Sequence, residues 1–148
     1  MTVLTLAKAE SLADAALAEG RRLRLAPLTL VVLDAGGHVV TAKREDSSGI
    51  LRFEIAYGKA WGALGMGFGT RELTQRAATS PAFVAAISAA SGGRIVPSPG
   101  GVLVRANGVT LGAVGISGDT GPQDEACALA GIAAAGFDAA AGVPDLSA

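Results

Sequence analysis

The chain has 148 residues, half of them hydrophobic, which is the size of a single domain (1–148) with a buried core. Its formal net charge is −1, from 12 basic and 13 acidic residues, so neither nucleic acid nor an anionic membrane is an expected partner. One histidine, His38, and one cysteine, Cys127, exclude an intramolecular disulfide and a cysteine-rich or histidine-rich metal site.

Composition also bears on location and assembly. No apolar run approaches the roughly 20 residues that cross a bilayer, and the N-terminus lacks a basic stretch followed by an apolar core. We therefore expect a cytoplasmic protein with no membrane partner. The 21 glycines and the aromatic content of only 4% favour close packing of backbones. Because flat surfaces of small residues often pack subunit on subunit, we expect a homo-oligomer.

The first part of the chain predicts a helix followed by a hairpin. Thr5 is a suitable N-cap, and apolar residues repeat at helical spacing from there to about Leu23. The continuous apolar run over 28–33 predicts a buried strand. The turn Gly36-Gly37 then leads into a second strand over 38–43. A polar loop ends this hairpin, and helical spacing resumes over 50–66.

The last part predicts a second hairpin between helices. The apolar runs 102–104 and 109–116 are joined by Asn107-Gly108, the dipeptide that a type I′ turn prefers. One more short strand is expected over 94–96. Three further helices are expected over residues 70–77, 81–90 and 122–141. Because hairpins replace alternating strand-helix units, the order predicts an antiparallel sheet covered by helices, an α+β domain.

The second hairpin ends in glycines that predict a ligand pocket. Within residues 115–121, glycines leave the backbone without side chains where a ligand can approach it. A serine, an aspartate and a threonine in the same segment supply hydrogen-bond donors and acceptors beside that space. The loop 97–101, with two prolines and two glycines, is rigid, and its amides can face a bound group. The first hairpin closes at 44–46, at the same sheet end, so Arg44 is the candidate clamp for a carboxylate. The candidate ligand-binding residues are Arg44, Asp46, Tyr57, Trp61, Pro99, Gly100, Gly101, Ser117, Gly118, Asp119 and Thr120.

The helix over 50–66 carries both aromatic and charged candidates. Glu54, Tyr57 and Trp61 fall on one side of it by three-and-four spacing, whereas Lys59 projects elsewhere unless the helix is bent. An aromatic stripe of this kind is more often core than the wall of a cofactor site, and both interpretations stay open here.

Carboxylates cluster at the start of the last expected helix. Asp119, Asp124 and Glu125 complement the helix dipole there. They also compete with a phosphate for the same amides, which argues against a phosphate site.

Four segments together resemble one known family. They are VVLDAGGHVVTAKRED, FEIAYGKAWGAL, PSPGGVLV and NGVTLGAVGISGDTGPQDEACALAGIAAAG, and they cover almost the whole chain. The most specific parts are Asp34 with the Gly-Gly turn, Lys59-Ala60, Pro99-Gly100-Gly101, and residues 112–118 followed by Asp124-Glu125. Their order and spacing are similar to those of the GlcG/HbpS family, the haem-degrading-domain or PduO C-terminal-like proteins.

The resemblance implies a profilin-like (GlcG-like) fold, a central antiparallel sheet with helices on both faces, which associates into dimers or larger assemblies. Members are linked to haem binding, cobalamin-related contexts, glycolate-utilisation gene clusters and small cofactor-free enzymes. The chain departs from the extracellular haem-sensing type, since it shows no export signal and no His or Met in an axial-ligand position. Haem as a cofactor would then dock through apolar contacts, with Arg44 or Arg105 on its propionates.

Two functions of different classes remain open at this point. The first is small-molecule binding, with haem or another planar, carboxylate-bearing ligand. The alternative is a cofactor-independent lyase, isomerase or tautomerase that acts on a small hydroxylated or aromatic carboxylate. In that case Arg44 anchors the substrate, and Glu54 or Asp119, with a raised pKa, moves the proton. A third hypothesis is an assembly subunit whose glycine-rich faces serve packing only.

Overall fold

A computed structural model describes residues 2–145, which fold as a five-stranded antiparallel sheet with helices on both faces. The helices are α1 (Leu6–Arg22), α2 (Leu51–Met66), α3 (Thr70–Thr79), α4 (Pro81–Ala90) and α5 (Gly121–Ala134). The strands are β1 (Thr29–Asp34), β2 (Val39–Arg44), β3 (Gly101–Ala106), β4 (Val109–Ser117) and β5 (Asp138–Ala140). Their order across the sheet is β2-β1-β4-β3-β5. The expected α+β class and the helices on both faces are confirmed.

The alternation of side chains along each strand creates two core layers. Leu30 and Val32 of β1 pack with Ile116 of β4 against α1 and α5. Val31 and Leu33 point the other way, and they pack against alanines of α2. Because both faces of the central strands are covered, β1 reads as a continuous apolar run in the sequence.

The residues of the two turns determine the geometry of both hairpins. Asn107 and Gly108 have φ values of 52° and 76°, as the predicted type I′ turn requires. In the first hairpin Gly37 has a φ of 84°. A carboxylate oxygen of Asp34 accepts the backbone N–H of Gly36 at 2.9 Å and that of His38 at 3.0 Å, which fixes this turn.

The C-terminal part differs from the sequence expectation. Helix α5 ends at Ala134, seven residues earlier than expected, and Gly136 follows with a φ of 82°. Residues 138–140 then form β5, which pairs with β3. Alanine-rich sequence favours helix, but this edge pairing satisfies the backbone of both strands and prevails. The strand expected over 94–96 does not form. Val96 lies outside any helix or strand, and its side chain packs beside Gly58 of α2.

Glycines let α2 lie directly on the backbone of the sheet. A Cβ placed on Gly115 of β4 would lie 1.9 Å from the carbonyl oxygen of Ala56, and one on Gly101 of β3 would lie 2.3 Å from that of Lys59. Close packing of this kind positions the polar side chains of α2 over the ends of β1 and β4. Within residues 2–145, no helix is long and apolar enough to cross a membrane.

Candidate functional site at the Thr29 end of the sheet

The loops that follow both hairpins meet at one end of the sheet, as the sequence predicts. Thr29, the first residue of β1, pairs with Arg44 on one side and with Ser117 on the other. We call this place the Thr29 end. The segment before β1 ties the loops together, because Ala26 donates its N–H to Asp119 at 3.0 Å and Leu28 donates to Glu45 at 2.8 Å.

The loop before β3 reaches the same place. Ile116 donates its N–H to the carbonyl of Gly100 at 3.1 Å, and Pro99 packs beside Gly121 at the start of α5. Gly100 has a φ of 123°, a conformation that glycine adopts without strain. The amide of Gly101 does not face a ligand, because it donates to the hydroxyl of Thr70 at 2.8 Å. Sequence reasoning therefore placed this loop correctly but misjudged that amide.

Hydroxyl groups and arginines lie together at the Thr29 end. The hydroxyl of Ser117 accepts a hydrogen bond from Arg52 Nη1 at 3.1 Å, and the hydroxyls of Thr29 and Ser48 lie 2.7 Å apart. Ser117 and Thr29 are buried, whereas Arg52 is half-buried. Within residues 2–145, no carboxylate lies within ion-pair distance of Arg52 or of the exposed Arg44. Arg44 and Arg52 therefore lie here without a direct ion pair, although Asp119 carries a negative charge near Arg52.

Arg52 was missed by sequence reasoning, although a signal was present. The sheet-facing stripe of α2 consists of Arg52, Ala56, Ala60 and Ala63, which recur every three or four residues. Small residues mark the face that meets the glycines of the sheet. The aromatic stripe that the sequence suggested as a binding surface lies on a different side of the helix.

A buried ion pair lies directly beneath this surface. Lys59 Nζ donates to Asp124 Oδ2 at 3.1 Å and to the carbonyl of Ile116 at 2.8 Å, and both side chains are almost fully buried. Asp124 Oδ1 accepts the N–H of Asp119 at 3.0 Å. Burial lowers the pKa of Lys59, which the nearby Arg52 charge lowers further, and burial raises the pKa of Asp124.

Lys59 thus lies on a different side of α2 from the aromatic stripe, and from there it reaches the Thr29 end. Its side chain extends across the glycine-lined contact to reach α5, and a Cβ on Gly100 would lie 3.0 Å from Nζ. The acidic start of α5 likewise does more than complement a dipole. Asp124 pairs with Lys59, and the buried Glu125 pairs with Arg71 of α3.

Asp119 has a structural role in the loop after β4. Its two carboxylate oxygens accept the N–H groups of Ala26 at 3.0 Å and of Thr120 at 2.9 Å. These hydrogen bonds lower the pKa of Asp119. The expected raised pKa is therefore wrong for this residue. Thr120 accepts the N–H of Gln123 as the N-cap of α5, and Gly118 packs against the carbonyl of Pro27.

The lowered pKa of Asp119 predicts a specific pH dependence. Its ionised carboxylate stabilises the folded state at pH values above its ordinary pKa, and this stabilisation is lost as the pH falls through the lowered value. Asp119→Asn removes one of the two acceptor oxygens, so the melting temperature should fall at neutral pH. The difference from the wild-type protein should stay constant down to about pH 5 and shrink below about pH 4. A difference that persists unchanged in strong acid would contradict this role.

The remaining candidates are Glu54, Tyr57 and Trp61 of α2. Glu54 is exposed on the first turn of α2. Tyr57 stacks on Phe53 with ring centroids 6.2 Å apart, and it packs against the core layer under α2. Trp61 lies at the opposite end of the sheet, beside Gly37 and with the guanidinium of Arg94 4.2 Å above its ring. The structure therefore separates Trp61 from Ser117.

Open cavities lie at the surface around the sheet. One of about 420 Å³ at the Thr29 end is lined by Arg21, Pro27, Arg44, Glu45 and Asp46. The exposed Arg44 and Asp46 thus share a surface depression, in which Arg21 is paired with Glu45 at 3.0 Å. A larger cavity of about 520 Å³ lies beside β5, with Arg71, Arg105 and Asp138 in its wall. Arg105 belongs to that second region, far from Ser117.

A family model described as "Haem degrading protein HbpS-like" matches residues 4–133. The chain belongs to the HbpS-like family. This HbpS-like chain is 33% identical over 124 residues to an uncharacterised 15.0 kDa protein of the dhaT-dhaS intergenic region of Citrobacter freundii, with 84% of the chain and 86% of that relative covered.

The chain is also similar to PduO proteins. Corrinoid adenosyltransferase PduO of Citrobacter freundii is 32% identical over 108 residues, which are 73% of this HbpS-like chain but only 32% of PduO. The chain therefore spans about a third of that enzyme. The crystal structure of a PduOC:haem complex superposes with a TM-score of 0.84 at 27% identity, covering 93% of this chain and 98% of the other.

Proposed function

We propose that this HbpS-like protein binds a planar small molecule that carries carboxylates, of which haem is the leading candidate, at the Thr29 end of the sheet. One observation carries the proposal: Arg44 and Arg52 lie at this end without an ion-pair partner among the described residues, and Arg52 donates to the buried hydroxyl of Ser117. The similarity to a protein crystallised with haem supports the ligand class.

The residues at this end suit the carboxylates of haem better than its iron. Guanidinium groups and hydroxyls donate to propionates. His38 lies at the opposite end of β2, where its Nδ1 is 3.2 Å from Asp34, and Met66 lies at the far end of α2. Neither side chain is placed to bind the iron of a ligand held at Arg44 and Arg52. The side-chain donors of this end therefore recognise the edge of the porphyrin.

Titration with two porphyrins tests the proposal. Hemin and metal-free protoporphyrin IX carry the same propionates, so both should bind in the micromolar range with affinities of the same order, as followed by Soret absorbance and tryptophan fluorescence. Absence of binding for both compounds at micromolar concentration would overturn the proposal. Strong binding of hemin alone would contradict recognition through the carboxylates.

No observation favours the lyase, isomerase or tautomerase alternative. Asp119 uses both carboxylate oxygens to hold backbone amides, and Glu54 is exposed. The hydrogen bonds that hold Asp119 lower its pKa, which does not suit a carboxyl that must carry a proton.

A further inference from the structure

Several of the twelve lysines and arginines form ion pairs with acids. Within residues 2–145 the ion pairs of lysine and arginine include Arg21–Glu45, Arg22–Glu19, Lys43–Glu10, Lys43–Asp14, Lys59–Asp124, Arg71–Glu125 and Arg76–Glu72. Arg52 differs from these residues. It is half-buried, and its hydrogen bond in the described part of the chain goes to a neutral hydroxyl, that of Ser117.

This arrangement leaves donors of Arg52 unused. A guanidinium has five N–H donors in a planar fork, which match the two oxygens of a carboxylate. A partly desolvated charge without a counter-ion is costly, and a bound carboxylate removes that cost. The adjacent start of α2 adds to the attraction, because no side chain caps its first amides.

Neighbouring charges leave room for an added anion. Asp119 carries a negative charge near Arg52, but its two oxygens already accept the amides of Ala26 and Thr120. Lys59 lies beneath, engaged with Asp124. Glu54 lies on the exposed side of α2. None of these acids forms a direct ion pair with Arg52.

We propose that Arg52, together with the hydroxyl of Ser117, forms the subsite that binds one carboxylate of the ligand, and that Arg44 binds a second carboxylate. This inference rests on the proposed function. Arg44 and Ser117 pair with Thr29 from opposite sides, so their backbones are two strand spacings, about 10 Å, apart. Two carboxylates on one edge of a planar molecule suit that separation, whereas a single small acid fills only one subsite.

The test compares protoporphyrin IX with its dimethyl ester on three proteins: wild type, Arg52→Gln and Arg105→Gln. The last variant is the matched control, because Arg105 loses the same charge beside the β3–β4 turn, where it donates to the carbonyl of Gly108. Arg52→Gln should weaken binding of the free acid on the order of ten- to a hundredfold and leave binding of the ester unchanged. Arg105→Gln should bind both compounds as the wild type does. Arg52→Lys should fall between wild type and glutamine for the acid, and far-ultraviolet circular dichroism should show that each variant is folded.

The outcomes separate the two claims. If Arg52→Gln binds the acid as tightly as the wild type does, the subsite at Arg52 is overturned while the proposed function stands. If the wild type binds acid and ester equally well, recognition through the carboxylates is overturned as well. If the wild type binds neither compound, both claims fail.

Discussion

Replacing Lys59 by methionine should lower the free energy of unfolding by about 3–5 kcal/mol, because the carboxylate of Asp124 is then buried without a counter-ion. In the folded protein Lys59 Nζ lies 3.1 Å from Asp124 Oδ2 and also donates to Ile116. The loss should diminish in acid, because burial already raises the pKa of Asp124 and protonation removes its charge. Urea denaturation at neutral and acidic pH measures both effects.

A double substitution separates the ion pair from simple packing. Lys59→Met with Asp124→Leu replaces both charges by apolar groups, and such exchanges of buried pairs are often close to neutral in stability. The double variant should therefore recover most of what the single variant loses. Lys43→Met is the surface control, since its pairs with Glu10 and Asp14 are partly exposed and should cost about 1 kcal/mol or less. Equal losses in Lys59→Met and Lys43→Met would contradict a buried, interdependent pair.

Gly115→Ala should be the most damaging substitution of the sheet, with a loss of about 3 kcal/mol, at the upper end for an added methyl in a packed core. The new Cβ would lie 1.9 Å from the carbonyl oxygen of Ala56 and 2.8 Å from the amide nitrogen of Ala60. Both are backbone atoms, so α2 itself must shift. Urea denaturation and the dispersion of the amide spectrum report the loss.

Gly142→Ala provides the matched control for this prediction. Its Cβ would meet nothing within 4 Å, and its backbone does not require a positive φ. It should change stability by no more than about 1 kcal/mol, and any change should be favourable because alanine restricts the unfolded chain. A Gly115→Ala protein as stable as the Gly142→Ala protein would mean that α2 is not seated on β4 as described.

Local signals in the sequence account for most of the fold. Asn107-Gly108 has the backbone that its turn type requires, and the apolar run of β1 lies between two helical layers. Helix α5 shows the limit of such signals. The alanines after Ala134 favour helix locally, but pairing of β5 with β3 is a long-range event that local propensity does not encode.

The candidate site was only partly accessible from sequence. Glycines and prolines in the sequence mark the loops. Together with antiparallel strand pairing, they were sufficient to predict that residues 99–101 lie close to Ser117. The partners of Arg52 and Lys59 could not be predicted in this way. Each lies 65 residues away along the chain, and charged side chains are expected on the surface unless tertiary structure pairs them.

The most direct test of where the ligand binds is the amide spectrum of the isotopically labelled protein with hemin, compared with metal-free protoporphyrin IX as the diamagnetic reference. Paramagnetic broadening by the ferric iron should be strongest for the amides of residues 117–120 and of Gly100, and absent from the turns at Gly37 and Gly108 at the opposite end of the sheet. Broadening centred on Gly37 or Gly108, or broadening spread evenly over the surface, would contradict a carboxylate-binding site at the Thr29 end.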